Sequence, residues 1–291
     1  MHFKDAKNIL SPKNGMNIYR GCTHGCIYCD SRSKCYNMSH DFEDIEVKQN
    51  ALILLEDTLK KRRTPCMVST GAMTDPYLHV EEELQYTRKS LELILKYRFG
   101  INLLTKSCRI KRDFDLLEAI NSKTKCVVQM TLTTYDEKLC KIVEPNVHSS
   151  YERFEVLKLL HQLSIPTIVW LGPILPFIND TEENLKGLLN YCLEAGVKGI
   201  LCFGMGLTLR EGNREFYYSH LDKHFKGLKK AYQQKYGNSY ILNSDSNPQL
   251  MKIFTEFCCK NNILYNTRDI FNYLNQFELK SDFEQLSLFN F

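Results

Sequence analysis

The stretch Gly21-Cys-Thr-His-Gly-Cys-Ile-Tyr-Cys-Asp30, GCTHGCIYCD, places three cysteines in one short loop with the spacing C-x3-C-x2-C. Three thiolates can hold three irons of a cubic four-iron cluster, and the fourth iron is then open to a substrate or cofactor. The two glycines of the stretch allow the positive φ angles with which a loop can wrap around such a cluster. The spacing therefore predicts a [4Fe-4S] cluster held by Cys22, Cys26 and Cys29.

A single zinc ion is an alternative occupant of the same loop. His24, Cys35 or His40 would then supply the fourth ligand. Cysteine-rich zinc sites usually contain two C-x2-C pairs, and no second pair follows this loop. A third interpretation is three thiols without any metal, which the irregular polar loop around them does not favour.

Alternating strand and helix patterns surround the cysteine loop. Short apolar runs predict strands, and longer stretches with apolar residues on one face predict helices. The predicted strands cover residues 16–20, 66–70, 99–105, 125–133, 165–171 and 197–203. The predicted helices between them cover residues 46–63, 80–98, 112–121, 151–163 and 181–195. Strict alternation of this kind is typical of βαβ units and therefore of a parallel sheet.

Six strand–helix units are too few for a closed eightfold barrel, so a partial (β/α)6 barrel and a doubly wound sheet both fit. In either fold the chemistry collects at the carboxyl ends of the strands. The alternation stops after residue 206, where the pattern predicts helices at residues 215–236, 247–260 and 267–277. We therefore predict a core over residues 1–205, a helical C-terminal extension over 206–277 and a short C-terminal tail over 278–291.

The overall composition is that of an ordinary globular protein. The chain has 291 residues, 43% of them hydrophobic, and a net charge of +4, which is only mildly basic. No apolar run approaches the ~18 residues that would cross a membrane. Residues 1–7 lack the apolar stretch of a signal peptide, so we expect a cytoplasmic protein. In that compartment twelve cysteines indicate thiols or metal ligands rather than disulfides.

The cysteine spacing resembles the signature of the radical S-adenosylmethionine (SAM) superfamily, C-x3-C-x-aromatic-C, with Tyr28 at the aromatic place. The resemblance implies a partial (β/α)6 TIM-type barrel and an open iron that chelates the amino and carboxylate groups of SAM. It also implies an enzyme in which one electron cleaves SAM and releases a 5′-deoxyadenosyl radical. An electron donor such as flavodoxin or ferredoxin would supply that electron.

Five further segments resemble the spore photoproduct lyase-like branch of this superfamily. They are residues 17–22, 74–77, 104–107, 131–134 and 144–145, within a match that covers residues 10–205. Each segment falls at the end of a predicted strand and so faces the expected site. The resemblance implies that Thr74 and Asp75 contact the methionyl end of SAM, that Lys106 meets its carboxylate, and that Thr131, like Tyr28, is a further contact.

The chain departs from that branch at two positions. The lyase has a cysteine that returns a hydrogen atom, where this sequence has Ala72, and a tyrosine after the third cluster cysteine, where this sequence has Asp30. Methyl and carboxylate groups are poor hydrogen-atom donors, so the lyase's own route of dimer reversal is not expected. Other candidate donors are Cys35, Cys66 and Tyr77, and nothing in the sequence selects one of them.

The last residues resemble the pentapeptide by which bacterial repair and replication proteins bind the DNA sliding clamp. Leu286, Leu288 and Phe289 would enter an apolar cleft, and the Gln285 amide would form a hydrogen bond. The alternative is an apolar C-terminus that packs on its own helices.

Basic clusters at residues 60–63, 106–112 and 223–230 could lie near phosphates, although such clusters are more often solvated helix faces.

Three functional hypotheses follow. The first is a radical SAM enzyme, with a lyase- or transferase-like reaction, that acts on DNA bases or lesions in a repair context. The second is a radical SAM enzyme that acts on a small molecule, a peptide or RNA. The third is a non-catalytic cluster or zinc protein that serves as a binding module.

Overall fold

The computed structural model describes residues 1–280 of the chain. Within these residues the strands are β1 (His2–Lys4), β2 (Gly15–Met16), β3 (Tyr19–Arg20), β4 (Glu46–Lys48), β5 (Met67–Thr70), β6 (Gly100–Thr105), β7 (Cys126–Leu132), β8 (Thr167–Leu171), β9 (Gly199–Leu201), β10 (Gly206–Thr208) and β11 (Ile241–Asn243).

The α-helices of the described chain are α1 (Ala51–Lys61), α2 (Glu81–Leu84), α3 (Tyr86–Lys96), α4 (Phe114–Lys123), α5 (Glu137–Val143), α6 (Ser150–Gln162), α7 (Glu182–Glu194), α8 (Asn213–His224), α9 (Leu228–Tyr236), α10 (Asn247–Lys260) and α11 (Thr267–Asn275). None of them is long and apolar enough to cross a membrane.

Six strands form one parallel sheet in the order β2-β5-β6-β7-β8-β9. Every neighbouring pair runs in the same direction. In the described residues the two edge strands β2 and β9 do not pair with each other, so the sheet is an open barrel. The predicted α/β fold with a partial (β/α)6 TIM-type barrel is confirmed.

Helix α11 covers the inner face of the sheet at the amino end of the strands. Val127, Ile168 and Leu201 point inward from three adjacent strands and form one apolar cluster with Ile270 and Leu274 of α11. Side chains alternate between the two faces of a strand, so the intervening residues pack outward against the surrounding helices. The inner face thus keeps its free space at the opposite, carboxyl end of the strands.

Three predicted elements are wrong in detail. The predicted helix over residues 46–63 begins with strand β4, which pairs with both β1 and β3 in a second, three-stranded sheet. The predicted helix over residues 80–98 is interrupted at Gln85, whose φ of 55° ends α2 before α3 begins. The predicted strand at residues 16–20 divides into β2 and β3, which belong to different sheets.

The segment after residue 206 is mainly helical, as predicted, with two differences. The predicted helix over residues 215–236 consists of α8 and α9, separated at Gly227 with a φ of 81°. A short antiparallel pair, β10 with β11, is present where no strand was predicted. Helix α10 agrees with the prediction at both ends. The proposed domain boundary at residue 205 stays a prediction.

Candidate active site

A cavity of about 360 Å³ lies at the carboxyl ends of the parallel strands. The cysteine loop forms one side of it, and residues that end or follow β5 to β10 form the rest. The cavity is lined by Cys22, His24, Cys26, Tyr28, Cys29, Asp30, Ser31, Gly71, Ala72, Met73, Thr74, Asp75, Leu104, Thr105, Lys106, Thr131, Trp170, Leu171, Gly172, Pro173, Leu201, Phe203, Gly204, Gly206, Leu207 and Thr208.

The structure brings the three cysteines of the loop together. Cys22, Cys26 and Cys29 all line the cavity, and none of them forms a disulfide. Burial, followed by the neighbouring Cys29 thiol, raises the pKa of Cys22 to about 12. Burial likewise raises the pKa of Cys26 well above its usual range. Burial thus favours the neutral thiols of Cys22 and Cys26, and bound iron would be needed to hold these two as thiolates. Three converging sulfur donors beside open space fit a cluster with one free corner.

The loop has the backbone shape expected from its glycines. Gly21 and Gly25 have φ angles of 91° and 70°. A side chain at position 21 would also place its Cβ 2.6 Å from the carbonyl oxygen of Phe42. The same carbonyl accepts a hydrogen bond from the Cys22 amide at 2.9 Å. Segment 42–46 therefore supports the first cysteine of the loop.

Thr74 also supports the loop. Its buried hydroxyl donates a hydrogen bond of 2.6 Å to the carbonyl oxygen of Gly21. That hydroxyl has only one hydrogen, so its donor capacity is used within the protein. Contact between Thr74 and SAM, as the family resemblance implied, would have to use the oxygen lone pair or the methyl group.

Asp75 organises the ends of β5 and β6. Its Oδ1 accepts hydrogen bonds from the Thr105 hydroxyl at 2.7 Å and the Tyr77 amide at 2.8 Å. Its Oδ2 accepts a hydrogen bond from the Lys106 amide at 2.8 Å and lies 3.6 Å from Nδ1 of His24. Both carboxylate oxygens are thus engaged by the chain itself, and Asp75 positions residues around the cavity.

Replacing Asp75 with asparagine is expected to destabilise the fold. The amide nitrogen of the new side chain would face donors where the carboxylate accepted hydrogen bonds, so at least one buried donor would lose its partner. The expected loss is about 1–3 kcal/mol in the free energy of unfolding, measured by denaturant titration. Asp115→Asn is a suitable control because Asp115 is exposed and pairs with Arg88 at the surface. Equal stability of Asp75→Asn and wild type would contradict this role.

Lys106 and Thr131 present polar groups to the cavity as predicted for cofactor contacts. The Lys106 ammonium lies 5.9 Å from the ring centre of Tyr28. Within residues 1–280 no carboxylate lies within 4.0 Å of this ammonium, so its charge is available to an anionic ligand. Thr131 is buried at the end of β7, where its carbonyl accepts a hydrogen bond of 2.6 Å from Arg153.

A buried ionic network lies beneath the cysteine loop. The Tyr28 hydroxyl and the Arg153 guanidinium both donate hydrogen bonds to the carboxylate of Glu144. Thr133 completes the network, 3.1 Å from the Tyr28 hydroxyl. Burial alone would raise the pKa of Glu144, but Arg153 and then Lys106 hold it at about 2. The tyrosine of the cysteine motif is therefore fixed by an anion, while its ring lines the cavity.

Sequence reasoning missed most of this network. The dipeptide at residues 144–145 was noticed only as part of the family resemblance, without a role for its carboxylate. Arg153 gave no signal at all, because an arginine in an amphipathic helix normally lies on the solvated face. It is fully buried in the structure.

Sequence reasoning also missed two aromatic residues that line the cavity. Trp170 is the penultimate residue of β8 and donates an indole hydrogen bond of 2.8 Å to the side-chain oxygen of Gln129. Phe203 follows β9, and its ring centre lies 5.8 Å from that of Trp170. Phe203 is 69% exposed although it is strongly apolar. A planar ligand entering the cavity would meet this aromatic pair.

The candidate hydrogen-atom donors lie elsewhere. Cys35, Cys66 and Tyr77 are not among the cavity-lining residues. Cys66 immediately precedes β5, at the opposite edge of the sheet, and the Tyr77 hydroxyl is buried against Asp113 at 3.0 Å. Ala72 and Asp30, which mark the two departures from the lyase-like pattern, do line the cavity.

The chain belongs to the radical SAM superfamily, whose family model matches residues 16–192. The cofactors of this superfamily are a [4Fe-4S] cluster and SAM, and its enzymes need an electron donor. This membership favours a cluster over a zinc site and an enzyme over a non-catalytic binding module, while the three cysteine ligands of the cluster stay a prediction.

The chain is also similar to individual curated proteins. It is 27% identical to uncharacterized protein Rv2578c of Mycobacterium tuberculosis over 229 residues, or 76% of this chain and 66% of that protein. It is 31% identical to uncharacterized protein MJ0683 of Methanocaldococcus jannaschii over 176 residues, or 60% and 65% of the two chains. The chain thus spans just under two thirds of the length of these relatives.

Solved structures of spore photoproduct lyase share the fold. The complex of that enzyme with dinucleoside spore photoproduct superposes with a TM-score of 0.63 at 14% sequence identity, over 91% of this chain and 78% of that chain. The spore photoproduct lyase-like fold is therefore confirmed.

Proposed function

We propose that Cys22, Cys26 and Cys29 hold the cluster and that the enzyme uses SAM to act on a DNA base or lesion. The observation that carries the proposal is the arrangement within one cavity. The cysteine loop and the Lys106 ammonium line it together with an aromatic pair, Trp170 and Phe203. This space would hold SAM near the cluster and a second, planar ligand against the aromatic pair.

The cofactors supply the radical chemistry, since a reduced [4Fe-4S] cluster with bound SAM yields a 5′-deoxyadenosyl radical. The chain contributes binding and orientation. Lys106 binds the SAM carboxylate as a point charge, and Thr131 is a further contact. Thr74 and Asp75 hold the surrounding backbone through the hydrogen bonds described above. The buried Tyr28–Glu144–Arg153 network keeps the loop rigid beside the reacting atoms.

Two observations support a nucleic-acid substrate. An exposed phenylalanine beside a tryptophan is the kind of platform on which an unpaired base stacks. The shared fold with spore photoproduct lyase, whose solved complex contains a dinucleoside lesion, also supports this substrate class. The basic cluster at residues 106–112 contributes less than its charge suggested. Arg109 pairs with Glu82 at 2.5 Å and Arg112 with Glu81 at 2.9 Å.

The sliding-clamp peptide would bring the enzyme to DNA, and it lies outside the described residues. The last described segment is held at the amino end of β7. Lys125 pairs with Glu278 at 2.7 Å, and the Lys280 amide donates to the Lys123 carbonyl at 3.0 Å. This edge is opposite the cavity.

Replacing Lys106 with methionine is expected to weaken SAM binding. Methionine keeps the length of the side chain but removes the cation, and a charge-assisted hydrogen bond is worth about 1.5–3 kcal/mol. The expected dissociation constant rises roughly tenfold to a hundredfold, measured by anaerobic equilibrium dialysis of the cluster-loaded enzyme. The control Lys111→Met removes a nearby lysine that is not among the cavity-lining residues. Unchanged affinity in Lys106→Met would refute the assignment.

The substrate class is tested by reductive cleavage of SAM in the presence of deuterated DNA, RNA and peptide pools. Deuterium in 5′-deoxyadenosine from the DNA pool alone supports the proposal. Transfer from RNA or peptide, or cleavage that no pool stimulates, favours the alternative of a peptide, RNA or small-molecule substrate.

The link through the tail is tested separately by titrating a bacterial sliding clamp. If the double variant Leu288→Ala with Phe289→Ala binds the clamp as tightly as the wild type, the proposed link through the tail is wrong.

A further inference from the structure

We propose that His2, His40 and Glu46 bind a zinc ion on the three-stranded sheet, outside the active-site cavity. Parallel pairing of β1 with β4 sets His2 opposite Glu46. The segment that leads into β4 brings His40 and Asp44 to the same place. One donor atom each of His2, His40 and Asp44 lies within 4.8 Å of the others. Oε2 of Glu46 lies 3.8 Å from Nε2 of His2 and 3.9 Å from Nε2 of His40.

Hydrogen bonds fix how both imidazole rings present their nitrogens. Nδ1 of His40 lies 3.0 Å from the backbone carbonyl oxygen of Asp41, which can only accept, so Nδ1 carries the hydrogen. Nδ1 of His2 lies 2.8 Å from Oδ2 of Asp44, which accepts in the same way. In the neutral rings both Nε2 atoms therefore carry lone pairs. A metal-binding histidine typically donates its other N–H to a carboxylate or a backbone carbonyl, as here.

A cation would satisfy an atom that otherwise has no partner. Nε2 of His40 is buried and makes no hydrogen bond within the described chain. Its near neighbour is the Glu46 carboxylate, which is itself an acceptor and only 7% exposed. Two lone pairs therefore face each other in a mostly buried place. Zinc between them would be bound by two imidazoles and one carboxylate, which is a common set of zinc ligands.

The Glu46 carboxylate lies near the Nε2 atoms of both imidazoles. Zinc bonds of about 2.0–2.2 Å place tetrahedral ligand atoms roughly 3.4 Å apart. Oε2 of Glu46 lies 3.8 and 3.9 Å from the two Nε2 atoms, so both imidazole rings would have to turn toward the carboxylate to reach that value. His2 is 39% exposed, which leaves a way in for the ion and a fourth position for water. The Lys4 ammonium also contacts Oε2 of Glu46 at 3.4 Å, but its side chain is 60% exposed and can turn outward.

The position of the site gives it a structural role. Segment 40–46 carries the Phe42 carbonyl that accepts the hydrogen bond from the Cys22 amide. Zinc would join this segment to β1 and so stabilise the support of the cysteine loop. Asp44 would act as a positioning residue, because Oδ2 orients His2 while Oδ1 contacts the Met1 amine at 2.7 Å.

The test uses the full chain without an affinity tag, loaded with its cluster, so that Cys22, Cys26 and Cys29 are occupied. After dialysis against micromolar zinc chloride, elemental analysis is expected to give about one zinc in addition to about four irons per chain. His40→Gln and His2→Gln should each weaken zinc binding at least ~100-fold and leave the iron content unchanged. This threshold separates a ligand from a residue that only supports a ligand, because loss of a supporting residue costs about 10–100-fold in metal affinity. His224→Gln, at an exposed histidine of α8, should bind zinc normally.

Three outcomes would overturn the proposal. One is less than about a tenth of a zinc per cluster-loaded chain. Another is zinc binding that neither His2→Gln nor His40→Gln weakens relative to His224→Gln. The third comes from cobalt chloride as a probe. Nitrogen and oxygen ligands give visible d–d bands alone, so an additional thiolate-to-cobalt charge-transfer band would assign the ion to cysteine. Because zinc content and the cobalt spectrum do not depend on SAM cleavage, these results are independent of the proposed reaction.

Discussion

Cys26→Ala is expected to abolish cluster assembly and reduce reductive cleavage of SAM to background. Cys26 is the central cysteine of the loop, and all three thiols line the same cavity. Two remaining sulfur ligands would leave two corners of the cluster exposed to water and oxygen. The measurements are iron and sulfide content after anaerobic reconstitution, and the yield of 5′-deoxyadenosine under reduction. About four irons per chain are expected for the wild type.

Cys35→Ala is the matched control for this prediction. Cys35 is an exposed free thiol only a few residues further along the chain, and it does not line the cavity. Its sulfur accepts a hydrogen bond of 3.3 Å from Arg210 at the surface. The Cys35 variant should therefore load iron and cleave SAM like the wild type. Normal loading of Cys26→Ala, or equal loss in both variants, would rule out the three-cysteine assignment.

The parallel sheet could be predicted because its signal is local. Each inner strand, such as β7, is a short apolar run buried on both faces, and a helix with one apolar face follows it. The three-stranded sheet could not be predicted in this way. Strand β4 covers only residues 46–48, and its partners β1 and β3 are far away in the sequence. From the local pattern alone, such a segment is predicted to be the beginning of the helix that follows.

The site was predictable where a motif or a strand end marks it. The cysteine loop follows from its spacing, and Lys106 and Thr131 follow from the family resemblance. The structure brings all of them to one cavity. Phe203 and Trp170 look like core residues of two apolar runs, so their position at the cavity depends on where each strand ends. The histidines on the three-stranded sheet likewise become neighbours only when β1 pairs with β4.

Glu144→Gln is expected to lower the free energy of unfolding by about 3–5 kcal/mol, because it leaves the Arg153 guanidinium buried without its anion. Both side chains of this pair are fully buried. The double variant Glu144→Leu with Arg153→Met should be less destabilised than Glu144→Gln, since it removes both charges together. Denaturant titration of cluster-loaded protein at neutral pH gives the comparison.

An exposed ion pair provides the control for the buried one. Glu182 and Lys186 are four residues apart on α7, and both side chains are largely in water. Glu182→Gln should therefore cost less than about 1 kcal/mol. A similarly small cost for Glu144→Gln would show that the Tyr28–Glu144–Arg153 network does not hold the cysteine loop in place.

Acid should remove the advantage of the wild type over Glu144→Gln. In the folded protein the pKa of Glu144 is lowered from its ordinary 4.5 to about 2, so the unfolded chain takes up its proton first as the pH falls. The contribution of the carboxylate is complete above pH 4.5 and declines as the pH approaches about 2. Iron–sulfur clusters decompose in acid, so both proteins are compared without the cluster. A stability difference that widens below pH 4.5 would show that Glu144 is protonated in the fold and that Arg153 is balanced by another anion.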